Sequence, residues 1–417
     1  MPDPTVLSAT ALGPVILAQA HELAKHSDDS DGLTCAYMTA AHRKVAAQLA
    51  LWMRQAGFDA VRVDEAGNVV GRYRACPRVQ APPLVAAGSH YDTVRNGGLY
   101  DGRLGILLPM ALVAQWHARH WRPDFDFEVV GFAEEEGVRF GSTFLGSSAY
   151  IGRFDAAMLA AHDGLGISMA QALNDAGHDP RALAAAGAGA RPDHYFEVHI
   201  EQGPVLLARG LAVGVVSAIA GATRRRFTLQ GRAGHAGTTP MDMRRDAACA
   251  AAEIVLAIEA RCRAHPELVG TVGKIEVPGG SINVVPGRCA FTLDLRAPVD
   301  ALRDAALADI LSAAGEICAR RGIELESETL MGVPATPCDQ HARALWREAI
   351  AAQGLEVCEL PSGAGHDAIK MAEVAPVSML FVRCGNGGIS HHPDETVSAA
   401  DIDTAAVVTQ AFLSRLA

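Results

Sequence analysis

The chain has 417 residues, of which 49% are apolar and 20% charged, and its net charge is -11. At roughly 100–200 residues per domain this describes a globular protein of two or three domains with a sizeable core; the acidic balance excludes the basic footprint of a nucleic-acid binder. No apolar run approaches the roughly 20 residues of a membrane helix. The N-terminus lacks the positive start of a secretory signal, and the nine cysteines are scattered without a Cys-x-x-Cys pair. A cytoplasmic protein with free thiols and neither membrane nor nucleic-acid partners is therefore expected.

In chain order, residues 39–57 have helical apolar spacing and stop at Gly57. LVAAGS (84–89) is short and apolar, suited to a buried strand. Residues 105–120 read as a helix bent near its start by Pro109, and FEVVGFA (127–133) as a second buried strand. AAAGAGARPD (184–193) reads as a loop, and YFEVHI (195–200) alternates like a strand. Strands separated by helices imply a mainly α/β sheet.

From about 213 to 330 the pattern becomes strand, helix, two strands, helix, strand, the order of a ferredoxin-like βαββαβ unit. Arg224, Arg225 and Arg226 read as a solvated strand end leading into FTLQG. A helix near 342–354, the strand SMLFVRCG and a helical tail from Ala399 then return to the first pattern. The fold class expected is an α/β catalytic domain (1–212 and 331–417) interrupted by an inserted ferredoxin-like domain (213–330).

Four segments carry the chemistry, each at the carboxyl end of an expected strand, where open α/β sheets form their sites. They are the glycine-rich GSHYDTVRNGGLYDG (88–102), AEEEG (133–137), VHIEQG (198–203) and GISHHPDE (388–395). His90, Asp101, Glu136, His199 and one of His391 or His392 offer imidazole nitrogen and carboxylate oxygen, donors that suit zinc, manganese or cobalt. Carboxylates crowded there repel one another without a cation, and an aspartate can bridge two ions. Asp92 stands two residues from His90 and could hold its other ring nitrogen.

These segments, with GRAGHAGTTPMDMRRDA (231–247), SINVVPG (281–287) and SGAGHDA (362–368), span about three quarters of the chain in order. Together they resemble the amidase and carbamoylase branch of the dinuclear M20-type metallohydrolases, whose members hydrolyse ureido compounds such as allantoate, N-carbamoyl-L-amino acids and ureidoglycolate. The resemblance implies two divalent ions, zinc or manganese with cobalt possible as a substitute. His90 and His199 would hold one ion and Glu136 the other, Asp101 would bridge them, and His391 would be the last ligand. His391 matches because it follows Ser390 directly. Its neighbour His392 departs from the usual Asn or Ser and reads as a residue behind the ligands or on the surface rather than as a ligand.

The same resemblance makes Glu135 the general base, with Asp92 and His235 completing the catalytic set and His235 stabilising the oxyanion. Gln202 would contact the ureido group, Asn283 and Arg296 the substrate carboxylate, and His366 would lie near the site. It also implies a homodimer in which residues 213–330 form the dimerisation or lid domain. Allantoate is the first expected substrate, and N-carbamoyl-L-amino acids or ureidoglycolate are the alternatives.

Overall fold

The computed structural model describes residues 11–185 and 191–416; residues 186–190 of the stretch 184–193, expected to be a loop, lie outside them. The chain divides into two compact units. The first comprises Met1–Val216, Cys338–Leu360 and Gly365–Ala417, the second Ser217–Pro337 and Pro361–Ala364.

The first unit is built on a mixed sheet in the order Ala60–Val63, Val69–Tyr73, Asp126–Phe132, Leu84–His90, His194–Ile200, Val377–Val382 and Val213–Ile219. The four central strands, Asp126–Phe132 to Val377–Val382, are parallel. Each of the four is buried along nearly its whole length. This accounts for their reading as continuous apolar runs: a parallel sheet is covered on both faces. Helix Leu104–Ala118 runs unbroken through Pro109 and is buried from Leu104 to Val113. Helix Ala40–Gln55 begins at Thr39, whose side chain accepts the His42 N–H, and Gly57 follows in the left-handed region. Trp346 and Phe412 stack at 3.8 Å, locking helix Gln340–Ala351 to the C-terminal helix Ala399–Leu416.

The second unit is an antiparallel sheet in the order Ile275–Glu276, Arg288–Ala297, Gly221–Gln230, Glu324–Val333, with Val269–Thr271 also pairing to Arg288–Ala297. Helices Ala247–Arg263 and Asp300–Arg321 supply Ile254, Ile258, Ile310 and Ile317 to a core with Phe227 and Phe291. The element order and the sheet order are those of a βαββαβ unit. Along Arg288–Ala297 alternate residues are buried, so one face meets the core and the other presents Thr292, Asp294 and Arg296.

Three sequence-based boundaries shift. Residues 213–230, read as one strand, break at Ala220 into Val213–Ile219 of the first sheet and Gly221–Gln230 of the second. The second unit therefore begins at Ser217 rather than 213. At its far end a bulge between Thr329 and Met331 lets the last strand continue to Val333, so the unit extends to Pro337 rather than 330. Arg224, Arg225 and Arg226 lie within a strand, not at its end, and bond Asp294, Ser327 and Glu328 of the flanking strands. No helix among the described residues is long and apolar enough to cross a membrane.

Two buried histidines support the first unit's core. His42 lies 2.6 Å from the Ala133 carbonyl through Nε2; His194 Nε2 lies 2.9 Å from Ser378 Oγ, which accepts from Trp346 Nε1. Burial pushes both imidazoles from 6.5 down to about 4. The folded protein keeps them neutral while the unfolded chain protonates near 6.5. Their stabilisation is thus complete above that pH and lost as pH falls towards 4. A His194→Gln protein should lose less stability than its parent between pH 6.5 and 4, read from urea midpoints at each pH. Parallel curves for the two proteins would show that His194 is not held neutral.

Candidate metal centre

The four parallel strands end at one edge of the sheet, and each delivers part of a polar cluster there. His90 is the last residue of its strand, paired with Phe132, after which the chain continues into Glu134, Glu135 and Glu136. His199 stands one residue before the end of the strand His194–Ile200. The loop after Val377–Val382 carries Ser390, His391 and Glu395. Register between neighbours therefore sets the approximate spacing of the donors before any loop contributes.

Asp101 is the hub. Its Oδ1 lies 3.3 Å from His90 Nε2 and 3.2 Å from His199 Nε2, while its Oδ2 lies 3.2 Å from His391 Nε2. His391 Nε2 is also 3.5 Å from Glu136 Oε1. Donor atoms of His90, Asp101 and His199 lie within 4.8 Å of one another, as do those of Asp101, Glu136 and His391, and those of His90, Glu135 and Glu136. One carboxylate thus turns its two oxygens towards two separate donor sets, the disposition of a bridging ligand.

The two buried imidazoles are orientated from behind. His199 Nδ1 lies 2.9 Å from the Ile200 carbonyl, and His90 Nδ1 lies 3.2 Å from the Asp92 carbonyl and 3.3 Å from Asp92 Oδ1. An acceptor on Nδ1 orients each ring so that Nε2 faces the cluster. Asp92 also accepts the N–H groups of Glu135 and Glu136, at 3.1 and 3.2 Å, coupling the glutamate turn to His90.

The loop glycines answer to these contacts. Glu395 Oε1 accepts from the N–H groups of Tyr100 and Asp101, and its Oε2 from Ser390. A Cβ at Gly98 would sit 2.1 Å from the Glu395 carboxyl carbon. At Gly102, with φ +69°, a Cβ would meet both the His90 ring and its carbonyl oxygen at 2.5 Å. Two non-glycine residues accept the left-handed region here, Gln202 and His391, both at φ 55°. Gln202 Nε2 donates to Asp101 Oδ2 at 2.7 Å and lies 3.3 Å from His391 Nε2, so the strained backbone aims both side chains at the same oxygen.

The cluster is short of positive charge. Burial and the Glu136 carboxylate hold Glu135 well above the usual carboxylate range; burial and Asp101 push Glu136 up to about 7. Burial likewise raises Glu134 and Asp367 well above their usual range. Burial opposes protonation of His90, but Asp101 and Asp92 outweigh it and hold that imidazole well above 6.5. Nitrogen and carboxylate donors in two sets around a shared aspartate fit two divalent cations, which would supply the missing charge.

Most expected site residues in the first unit meet here: His90, Asp92, Asp101, Glu135, Glu136, His199, Gln202 and His391. His366 joins them, its ring 4.5 Å from that of His199, with a donor atom in a set with His199 and Glu197. Burial and His199 keep His366 well below 6.5. Gln202 contacts the hub carboxylate. His392 turns outward to the Asp394 N–H and takes no part in the donor sets. His235, Asn283 and Arg296 belong to the second unit. There His235 Nδ1 accepts the Gly237 N–H, which leaves Nε2 as the protonated donor, and Asn283 Oδ1 accepts from Ser281.

Sequence reading passed over Glu197 and Glu395. Glu197 is fully buried, accepts from Ser89, Tyr195 and the Ala368 N–H, and shares a strand face with His199. The two-residue spacing within YFEVHI was the available signal.

A model of "Peptidase family M20/M25/M40" matches residues 86–415, and the chain belongs to that family. An N-carbamoyl-L-amino acid amidohydrolase of Geobacillus stearothermophilus is 39% identical, covering 91% of this chain and 92% of its own. Allantoate deiminase 1 of Glycine max is 36% identical over 96% and 89% respectively. The crystal structure of a hydantoinase/carbamoylase family amidase from Burkholderia multivorans superposes with a TM-score of 0.89 at 33% identity, covering 97% of both chains.

Gly102→Ala should weaken metal binding about tenfold by displacing His90, measured by metal analysis after chelator competition. Gly141→Ala is the control, because its φ of +68° is similar but its Cβ would meet open space. Equal metal loss in both variants would assign the effect to backbone strain rather than to the ring.

Proposed function

We propose that this protein is a metal-dependent amidohydrolase that cleaves the terminal C–N bond of a linear ureido group in a carboxylate-bearing small molecule. The observation that carries the reading is Asp101, whose two oxygens face His90 and His199 on one side and His391 on the other. His90, Asp101 and His199 would hold one divalent ion, and Asp101, Glu136 and His391 the second. Zinc, manganese and cobalt all suit these donors. When bound, such ions polarise a carbonyl and bring the pKa of a water towards neutrality.

Glu135 is the group that moves the proton. Its backbone is held by Asp92, and its carboxylate lies in a donor set with His90 and Glu136. It takes a proton from the attacking water and returns it to the leaving nitrogen, which departs as ammonia. His235 donates through Nε2 to the oxyanion. Asn283 retains its Nδ2 donor for the substrate carboxylate, and Arg296 supplies the charge.

Allantoate, with two ureido arms beside a carboxylate, is the first substrate candidate, supported by the allantoate deiminases among the relatives. N-carbamoyl-L-amino acids are the second reading. A specific feature favours them: a cavity of about 740 Å³ in the second unit, where Arg296 shares the lining with Pro266, Val269, Pro298 and Leu330. An apolar wall beside a carboxylate-binding arginine suits an amino-acid side chain. The protein is further read as a cytoplasmic homodimer. All nine cysteines are free, and Met241, Met243 and Ile282 stand exposed on the second unit, available to a second copy.

Ammonia release by the manganese- or zinc-loaded protein, with allantoate and a panel of N-carbamoyl-L-amino acids side by side, tests the reading. Faster turnover of allantoate supports the first substrate, faster turnover of a carbamoyl amino acid the second, and no release from any of them refutes the activity. In the same assay Glu135→Gln should retain its metal and lose about 10²–10⁴ in turnover. Parental rates in that variant would remove Glu135 from the proton path.

A further inference from the structure

Asp294 and Arg296 stand two residues apart on the strand Arg288–Ala297, on the sheet face not covered by the helices. Arg296 Nε donates to Asp294 Oδ1 at 2.8 Å and Nη2 donates to Asp294 Oδ2 at 2.9 Å, a two-point fork along one edge of the guanidinium. Nη1 donates to the Gly363 carbonyl at 2.6 Å. Asp294 is itself anchored from the neighbouring strand. Its register partner Arg224 donates through Nε to the same Oδ2 at 2.8 Å.

A guanidinium has five N–H groups. Three are taken by Asp294 and Gly363, which leaves one on each terminal nitrogen, enough for a single two-point contact with another carboxylate. Arg296 is therefore held at two places along its rim and offers what remains to the cavity it lines. A free arginine would have to give up side-chain freedom when it grips a carboxylate; this one has already done so.

We propose that Asp294 is a positioning residue for substrate recognition: anchored by Arg224, it fixes the guanidinium of Arg296 so that two N–H groups face an incoming substrate carboxylate. The inference rests on the reading that Arg296 binds that carboxylate. It places selectivity for carboxylate-bearing ureas in a three-residue chain across two strands.

A double-mutant cycle on the metal-loaded, full-length protein tests it, using the ureido substrate turned over fastest. Asp294→Asn should raise KM about tenfold and change kcat less than KM, with metal content unchanged. Arg296→Lys, which keeps the charge and loses the fork, should also raise KM. Adding Asp294→Asn to Arg296→Lys should then change KM no further, because the residue it positions is already gone. Glu328→Gln, which removes an exposed partner of Arg226 on the same sheet, serves as the control with parental kinetics. If Arg296→Lys raises KM while Asp294→Asn does not, or if the two effects multiply in full, the positioning role is overturned. If Arg296→Lys itself leaves KM at the parental value, the failure lies in the carboxylate role of Arg296, and the inference falls with it. Should Asp294→Asn not fold, Arg224→Gln removes the outer anchor; a parental KM there overturns the proposal too.

Discussion

The structure turns on one shared carboxylate. Asp101 lies within 3.3 Å of three imidazole nitrogens drawn from three separate stretches of chain, and it belongs both to the donor set with His90 and His199 and to the set with Glu136 and His391. Its position is secured three ways. Glu395 accepts its backbone N–H, Ser390 donates to its Oδ2, and Gln202 donates to the same oxygen. Ser390 and Glu395 flank His391 in sequence, so the loop that delivers the last imidazole also fastens the hub it meets. The parallel strands supply the frame, since their register brings His90, the glutamate turn and His199 to one edge before any loop contact forms.

Such a cluster is costly for a protein to bury. Glu134, Glu135, Glu136 and Asp367 are all driven upward by burial and by neighbouring carboxylates, Asp92 among them in each case. Buried carboxylates at this density either take up protons or are neutralised by cations. The surrounding residues are arranged for the second outcome. Asp92 and the Ile200 carbonyl claim the Nδ1 atoms of His90 and His199, which keeps both Nε2 atoms turned inward. Two left-handed non-glycine residues, Gln202 and His391, are tolerated where their side chains converge on Asp101. Strain at that point is consistent with a site whose stability is completed by what it binds.

The second unit solves a different problem with simpler means. One face of its sheet is sealed by Ile254, Ile258 and Ile310 around stacked Phe227 and Phe291. The other face is polar and carries its charges in register pairs. Arg224 opposite Asp294 is a cross-strand contact of the ordinary kind. Combined with the fork to Arg296, it becomes a means of holding a cationic group still on an open surface. The first unit gathers imidazole and carboxylate donors at strand ends, and the second carries charged side chains on the open face of its sheet.

Much of this was written in the sequence. The buried parallel strands announced themselves as unbroken apolar runs, because burial on both faces removes the need for polar alternation. Histidines and acids placed just beyond those runs marked the site edge, and the ordered motifs pointed to residues that meet there, His391 rather than His392 among them. Other features depended on neighbours distant in the chain. The break at Ala220 separates two strands that follow one another directly in sequence, and only their pairing with different sheets divides them. Glu197 resembled any polar residue in an alternating strand until Ser89, Tyr195 and Ala368 closed around it. The fork between Asp294 and Arg296 was latent in their two-residue spacing, yet Arg224 and Gly363 reach it only through tertiary contacts. Local pattern determined which residues could act; the hydrogen bonds between remote segments decided which atoms they turn towards the site, because those bonds exist only once the strands are in register.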